Sequence, residues 1–168
     1  KETVITALPL YHIFSLTANC LVYMRVGGCN VLITNPRDIP LFIKTLKQTP
    51  FTGITGVNTL FNALMGHSDF ESIDFSNLNL SLGGGMAVQE AVATKWKEKT
   101  GCVLAEAYGL TECSPAVCVN PLTLAEFNGA IGQPLPSTDI MIMNEKGEGS
   151  DTGQEGELCV KGPQVMQG

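Results

Sequence analysis

Long apolar runs, positive charge and paired cysteines are what this sequence has least of. No hydrophobic stretch approaches the ~20 residues a bilayer-spanning helix needs, so such a helix is excluded. Lys and Arg number 10 against 16 Asp and Glu, a net charge of −6. That balance argues against the basic face of a nucleic-acid-binding protein and equally against recruitment to anionic lipid. The six cysteines (Cys20, Cys29, Cys102, Cys113, Cys118, Cys159) form no C-x-x-C pair and share no metal-like spacing with His12 or His67. They read as reduced thiols of a cytoplasmic protein, several buried as small hydrophobes, rather than as a disulfide framework. The chain opens Lys1-Glu2-Thr3, without an initiator Met or the layout of a signal peptide.

What is present is enough for a core. With 44% hydrophobic and only 15% charged residues over 168 positions, disorder is excluded and one ordinary domain, with the start of a second, is expected. Strand-like and helix-like segments alternate through the first two thirds. Val4–Leu8, Asn30–Thr34, Phe51–Ile54, Leu78–Leu82 and Val103–Ala107 read as strands, with Asn30–Thr34 buried. The apolar stretch Ile13–Val26 ends at Gly27-Gly28, a helix stop. Asp38 and Pro40 suit the first turn of a helix that turns Leu41, Phe42 and Leu46 inward. Leu60, Phe61, Leu64 and Met65 share one helical face, and Val88, Val92 and Trp96 another. Residues 66–77 read as a polar surface loop. Such strand–helix units imply an α/β fold, a mostly parallel sheet flanked by helices. Helical periodicity stops after about Asn120, where Gly and Pro become frequent. Asp139–Met143 and Glu157–Lys161 read as an antiparallel pair, so the expected division is 1–127 α/β and 128–168 a small all-β piece.

Three segments could carry chemistry, each expected at the C-terminal end of a strand, where open parallel sheets bind ligands. The first is Gly83-Gly84-Gly85-Met86, between a strand and a helix. Glycines let a backbone approach a flat or anionic ligand, although a tight turn alone would also explain them, and the Lys of a P-loop is missing. The second is Glu106-Ala107-Tyr108-Gly109-Leu110-Thr111-Glu112. Its ring can stack on a base, its hydroxyl can donate to a phosphate oxygen and its carboxylate can hold magnesium. A strand end with an N-capping Thr is the plainer alternative. The third is Pro9-Leu10-Tyr11-His12, where His12 shows no Ser-His-Asp order around it.

Together, L-P-L-Y-H (Leu8–His12), G-G-G-M (Gly83–Met86), Y-G-L-T-E (Tyr108–Glu112) and G-E-L-C-V-K-G (Gly156–Gly162) resemble the adenylate-forming acyl-CoA synthetases in order and spacing. The likeness runs over essentially the whole chain. It is nearest to the bacterial long-chain fatty acid–CoA ligases, through Asn35–Pro40 and Ile54–Leu64 in particular. This resemblance implies part of the large N-terminal domain of an adenylate-forming enzyme, and a reaction in two steps. A fatty acid carboxylate attacks the α-phosphate of ATP, and coenzyme A thiol then displaces AMP. It implies catalytic roles for His12, Thr111 and Glu112, with Glu112 also on Mg2+. Gly83, Gly84, Gly85, Met86, Glu106, Ala107, Tyr108 and Gly109 would contact ATP or AMP.

Two departures from the family pattern stand out. Some long-chain members carry a Trp gate where Leu16 stands, and the family's phosphate loop and late catalytic Lys occur nowhere in the 168 residues. The expectation is therefore a part of a ligase that is inactive alone and, through open sheet edges, pairs with a second copy as a homodimer. A fatty acid substrate would bring the parent into transient contact with membranes. Two readings stand beside it: a ligase for an aryl or shorter acyl acid, and a non-catalytic nucleotide-binding or interaction module.

Overall fold

A computed structural model describes all 168 residues. Five short strands, β1 (Thr3–Thr6), β2 (Cys29–Leu32), β3 (Gly53–Gly56), β4 (Leu80–Gly83) and β5 (Leu104–Gly109), pair in parallel in the order β2-β1-β3-β4-β5. The sheet then turns antiparallel through β6 (Ala116–Val119) and β7 (Gln133–Pro134), making seven strands in all. β7 lies beyond residue 127 yet still pairs with this large sheet, and β8 (Asp139–Met143) and β9 (Glu157–Lys161) form a separate antiparallel pair.

Helices cover the parallel part, as such sheets require. The first, α1, is π-helical over Ser15–Leu21 and α-helical over Val22–Arg25. Helix α2 (Ile39–Gln48) starts where Asp38 Oδ1 accepts the Leu41 N–H at 3.0 Å, with Pro40 in the first turn. Helix α3 spans Asn58–Met65, and α4 (Glu90–Thr100) stops at Gly101, whose φ of +75° lets its N–H reach Lys97 O at 2.8 Å. Beneath them Trp96 is fully buried. Its ring meets Phe61 edge-on at 4.8 Å and Phe70 at 5.6 Å, and Nε1 donates to Ser81 Oγ at 3.0 Å.

Several sequence-based expectations are corrected here. β2 is the half-exposed edge of the sheet rather than a buried strand, because a β-branched run looks the same at an edge as in the middle. Leu41 is 52% exposed, and Ile43 takes the inward place beside Phe42 and Leu46. The loop of residues 66–77 is not only surface. Phe70 and Ile73 are buried in the main core, with Phe75 packed against it. The third strand starts at Gly53 instead of Phe51, which is itself a core side chain.

Candidate active site

The three segments singled out in the sequence converge. They follow β1, β4 and β5 at the C-terminal edge of the sheet and wall one cavity of about 370 Å³. His12, Gly84, Gly85, Ala107, Tyr108, Gly109 and Thr111 line it. A volume of that size and a mostly apolar wall with a few polar groups describe a small-molecule site.

Each wall has a local cause. Helix α1 supplies Thr17, Ala18 and Val22, and the turn leading into it supplies Ile13 and Phe14. Its start is fastened by His12, whose Nδ1 accepts the Phe14 N–H at 3.2 Å, while the rest of the exposed imidazole has no partner in the chain. Phe14 is buried against Gly84, where an added Cβ would come within 3.0 Å of the ring. Gly85 adopts φ +77°, a conformation that favours glycine. Behind α1 lies a buried polar network. Asn19, fully buried in the π-helical turn, donates from Nδ2 to Thr6 Oγ1 at 2.9 Å and accepts at Oδ1 from Thr55 Oγ1 at 3.0 Å. Asn30 Nδ2 donates to Asn19 O at 3.0 Å, and Thr6 Oγ1 donates to Asn30 Oδ1 at 2.7 Å. Three strands thus hold one helical turn, and every polar group in the network finds a partner. Short π-helical segments inside helices are frequent at functional sites.

Four of the expected site residues sit elsewhere. Gly83 is buried beneath α4, where a Cβ would meet Val88 Cγ2 at 2.6 Å. Glu106 is buried with Oε1 accepting the Val88 N–H at 3.1 Å, so its carboxylate fixes the entry to α4 instead of lining the cavity. Met86 is 49% exposed and outside the wall. Glu112 is exposed beside Thr111, outside the lining residues, and its carboxylate makes no hydrogen bond or ion pair within the chain.

Pro115, Ala116, Val119 and Leu135 complete the wall, and sequence reasoning missed them, as it did Thr17, Ala18 and Val22. The signal for the α1 group was available: no charged residue occurs between His12 and Arg25, so even the exposed face of that helix is apolar. Tyr108 faces the cavity and also packs on the small cluster of Cys113, Val117 and Cys118. Burial pushes both thiols above their usual range, with Glu112 adding to the effect at Cys113. No lining residue is Lys or Arg.

A magnesium ion fits what is present. Mg2+ takes one or two carboxylates with water and substrate phosphates rather than an all-protein cage. The chain offers the unpartnered Glu112 carboxylate and no cluster of three ligating side chains.

Comparison with known proteins gives the family and the fold. Residues 1–168 match the family described as AMP-binding enzyme. The chain is 58% identical to the long-chain-fatty-acid–CoA ligase of Escherichia coli O6:H1 over all of its own length and 30% of the relative's. ATP-bound MatB from Rhodopseudomonas palustris superposes with a TM-score of 0.87 at 25% identity, over 100% of this chain and 33% of that one. An anthranilate CoA ligase in complex with anthranoyl-AMP shares the fold, with a TM-score of 0.88 at 22% identity over 98% of this chain and 32% of that one. The chain therefore spans about a third of the proteins it matches.

Proposed function

This chain belongs to the AMP-binding enzyme family, and from that premise we propose that it is the adenylate-site portion of a ligase joining a long-chain fatty acid to coenzyme A. The observation that carries the reading is the single apolar cavity into which the His12, Gly84-Gly85 and Tyr108–Thr111 segments converge. A fatty acyl chain needs the apolar wall, and an adenylate needs a flat ring partner and neutral donors at its mouth.

In the first step a carboxylate oxygen of the acid bonds to the α-phosphorus of ATP, and the bond to pyrophosphate breaks. In the second the thiol sulfur of coenzyme A bonds to the acyl carbonyl carbon, and AMP departs with the electron pair. Tyr108 and Ala107 flank the adenine, against the backbone of Gly84 and Gly85. Thr111 donates its hydroxyl to a phosphate oxygen. His12, anchored through Nδ1, presents its other nitrogen to the acyl phosphate. Glu112 would hold Mg2+, which offsets phosphate charge when bound. Positioning supplies much of the rate, since two anions must be held in line. We assign the protein to the cytoplasm, with transient membrane contact when it collects its substrate.

Calorimetric titration of the 168-residue chain with AMP tests the reading. Binding is expected, and Tyr108→Ala should weaken it about 5- to 150-fold, the value of one base–aromatic stack. Absence of AMP binding at millimolar concentration, or an unaltered affinity in Tyr108→Ala, would overturn it.

A further inference from the structure

The turn that carries Thr111 and Glu112 is clasped from outside the cavity by the segment after β9. Ser114 closes that turn at φ +57°, ψ +37°, a left-handed conformation uncommon for residues other than glycine. Two contacts keep it there. Its carbonyl accepts from Thr17 Oγ1 at 3.2 Å, and its Oγ donates to Gln164 O at 3.0 Å, across 50 residues of sequence. Gln164 reaches further with its side chain. Nε2 donates to Ala116 O at 3.2 Å and to Thr138 Oγ1 at 2.8 Å. Next in the chain, Val165 packs against the Cys113–Val117–Cys118 cluster, and the Met166 N–H donates to Glu112 O at 2.8 Å.

We propose that Gln164 is a positioning residue for the Thr111–Glu112 turn. It grips Ser114 and Ala116 on either side of Pro115, and so holds the turn that carries the Thr111 hydroxyl and the Glu112 carboxylate. An amide suits this role because both targets of Nε2 are oxygen acceptors, and an uncharged NH2 offers two donors without the desolvation of an ammonium. The inference rests on the ligase reading of the cavity, and it adds the segment beyond β9 to the machinery of that site.

The test uses the full 168-residue chain and the isosteric substitution Gln164→Glu, which keeps the shape but turns a carboxylate toward Ala116 O. At pH 7.5 AMP affinity should fall about tenfold, the equivalent of one lost hydrogen bond. The deficit relative to wild type should shrink as the pH is lowered toward 5, because a protonated carboxyl can donate again. Comparison with wild type at each pH isolates the effect of the substitution. Amide hydrogen exchange of residues 111–116 should quicken in the variant, and likewise in Ser114→Ala, which removes the hydroxyl held by Gln164 O. An affinity equal to wild type across the pH range would overturn the proposal. If the wild-type chain binds no AMP, the ligase reading falls, and exchange at residues 111–116 still decides on Gln164: unchanged protection in both variants overturns it.

Discussion

Replacing Asn19 by Ala removes the centre of the polar network that seats helix α1 on the sheet. Two side-chain hydrogen bonds go, at 2.9 and 3.0 Å, in a site with no solvent exposure. The Thr55 hydroxyl loses its partner outright, while Thr6 keeps its bond to Asn30. An orphaned buried donor costs about 1–3 kcal/mol, and the lost contacts and small void raise the sum to about 3 kcal/mol. For a chain of this size that corresponds to a melting point lower by roughly 6–12 °C. Trp96, the sole tryptophan and fully buried, makes intrinsic fluorescence in a urea titration the natural assay. A double-mutant cycle isolates the network. Thr55→Val removes the donor that Asn19→Ala orphans, so the double variant should be less destabilised than the sum of the singles by about 1 kcal/mol. A cost below about 1 kcal/mol for Asn19→Ala, or additivity within about 0.3 kcal/mol, would refute the reasoning that this network positions the cavity wall.

Gly109→Ala should destabilise by at least about 2 kcal/mol in the same assay, since its Cβ would collide with Pro115 O, the acceptor of the Leu110 N–H; an unchanged urea midpoint would contradict the register described at β5 and β6. Alkaline stability follows from Tyr23, Cys113 and Cys118, whose protons burial makes harder to remove in the folded chain, with Glu2 adding to the effect at Tyr23. Below about pH 8.5 both states stay protonated and these groups leave stability level; above it the unfolded chain ionises first, so stability falls as the pH rises through 10. Urea midpoints between pH 7.5 and 10.5 should show that fall, and Tyr23→Phe should flatten it. The chain alone should show no ATP–pyrophosphate exchange, because no Lys or Arg lines its cavity; measurable exchange would contradict that expectation. Light scattering should report a homodimer, formed through the half-exposed edge strand β2, and a monomeric mass would sink that expectation.

Much of this arrangement was legible because it rests on local signals. Glycines, prolines and β-branched runs marked the strand ends, and all three motif segments fall on strand ends that face one cavity. What stayed illegible depends on neighbours distant in sequence. Nothing in Asn30–Thr34 tells whether a further strand lies beside it. A buried Asn in an apolar helix carries no mark of Thr6 and Thr55 as its partners, which lie 13 and 36 residues away. Glu106 sits within a motif that points to a ligand, yet its carboxylate is committed to the Val88 N–H. The π-helical turn of α1, where Ser15 Oγ also donates to Leu8 O at 2.9 Å, likewise carries no marker in the sequence.

On this reading the 168 residues supply a working adenylate and acyl site. The most direct measurement is a chimera in which they replace the matching 30% of the Escherichia coli long-chain-fatty-acid–CoA ligase, to which they are 58% identical. Acyl-CoA formation from a long-chain fatty acid is then followed beside the unfolding transition of the chimera. The chimera should be active, and its activity should be lost in Thr111→Val and Glu112→Gln. A chimera that unfolds as cooperatively as the parent ligase but forms no acyl-CoA would contradict it.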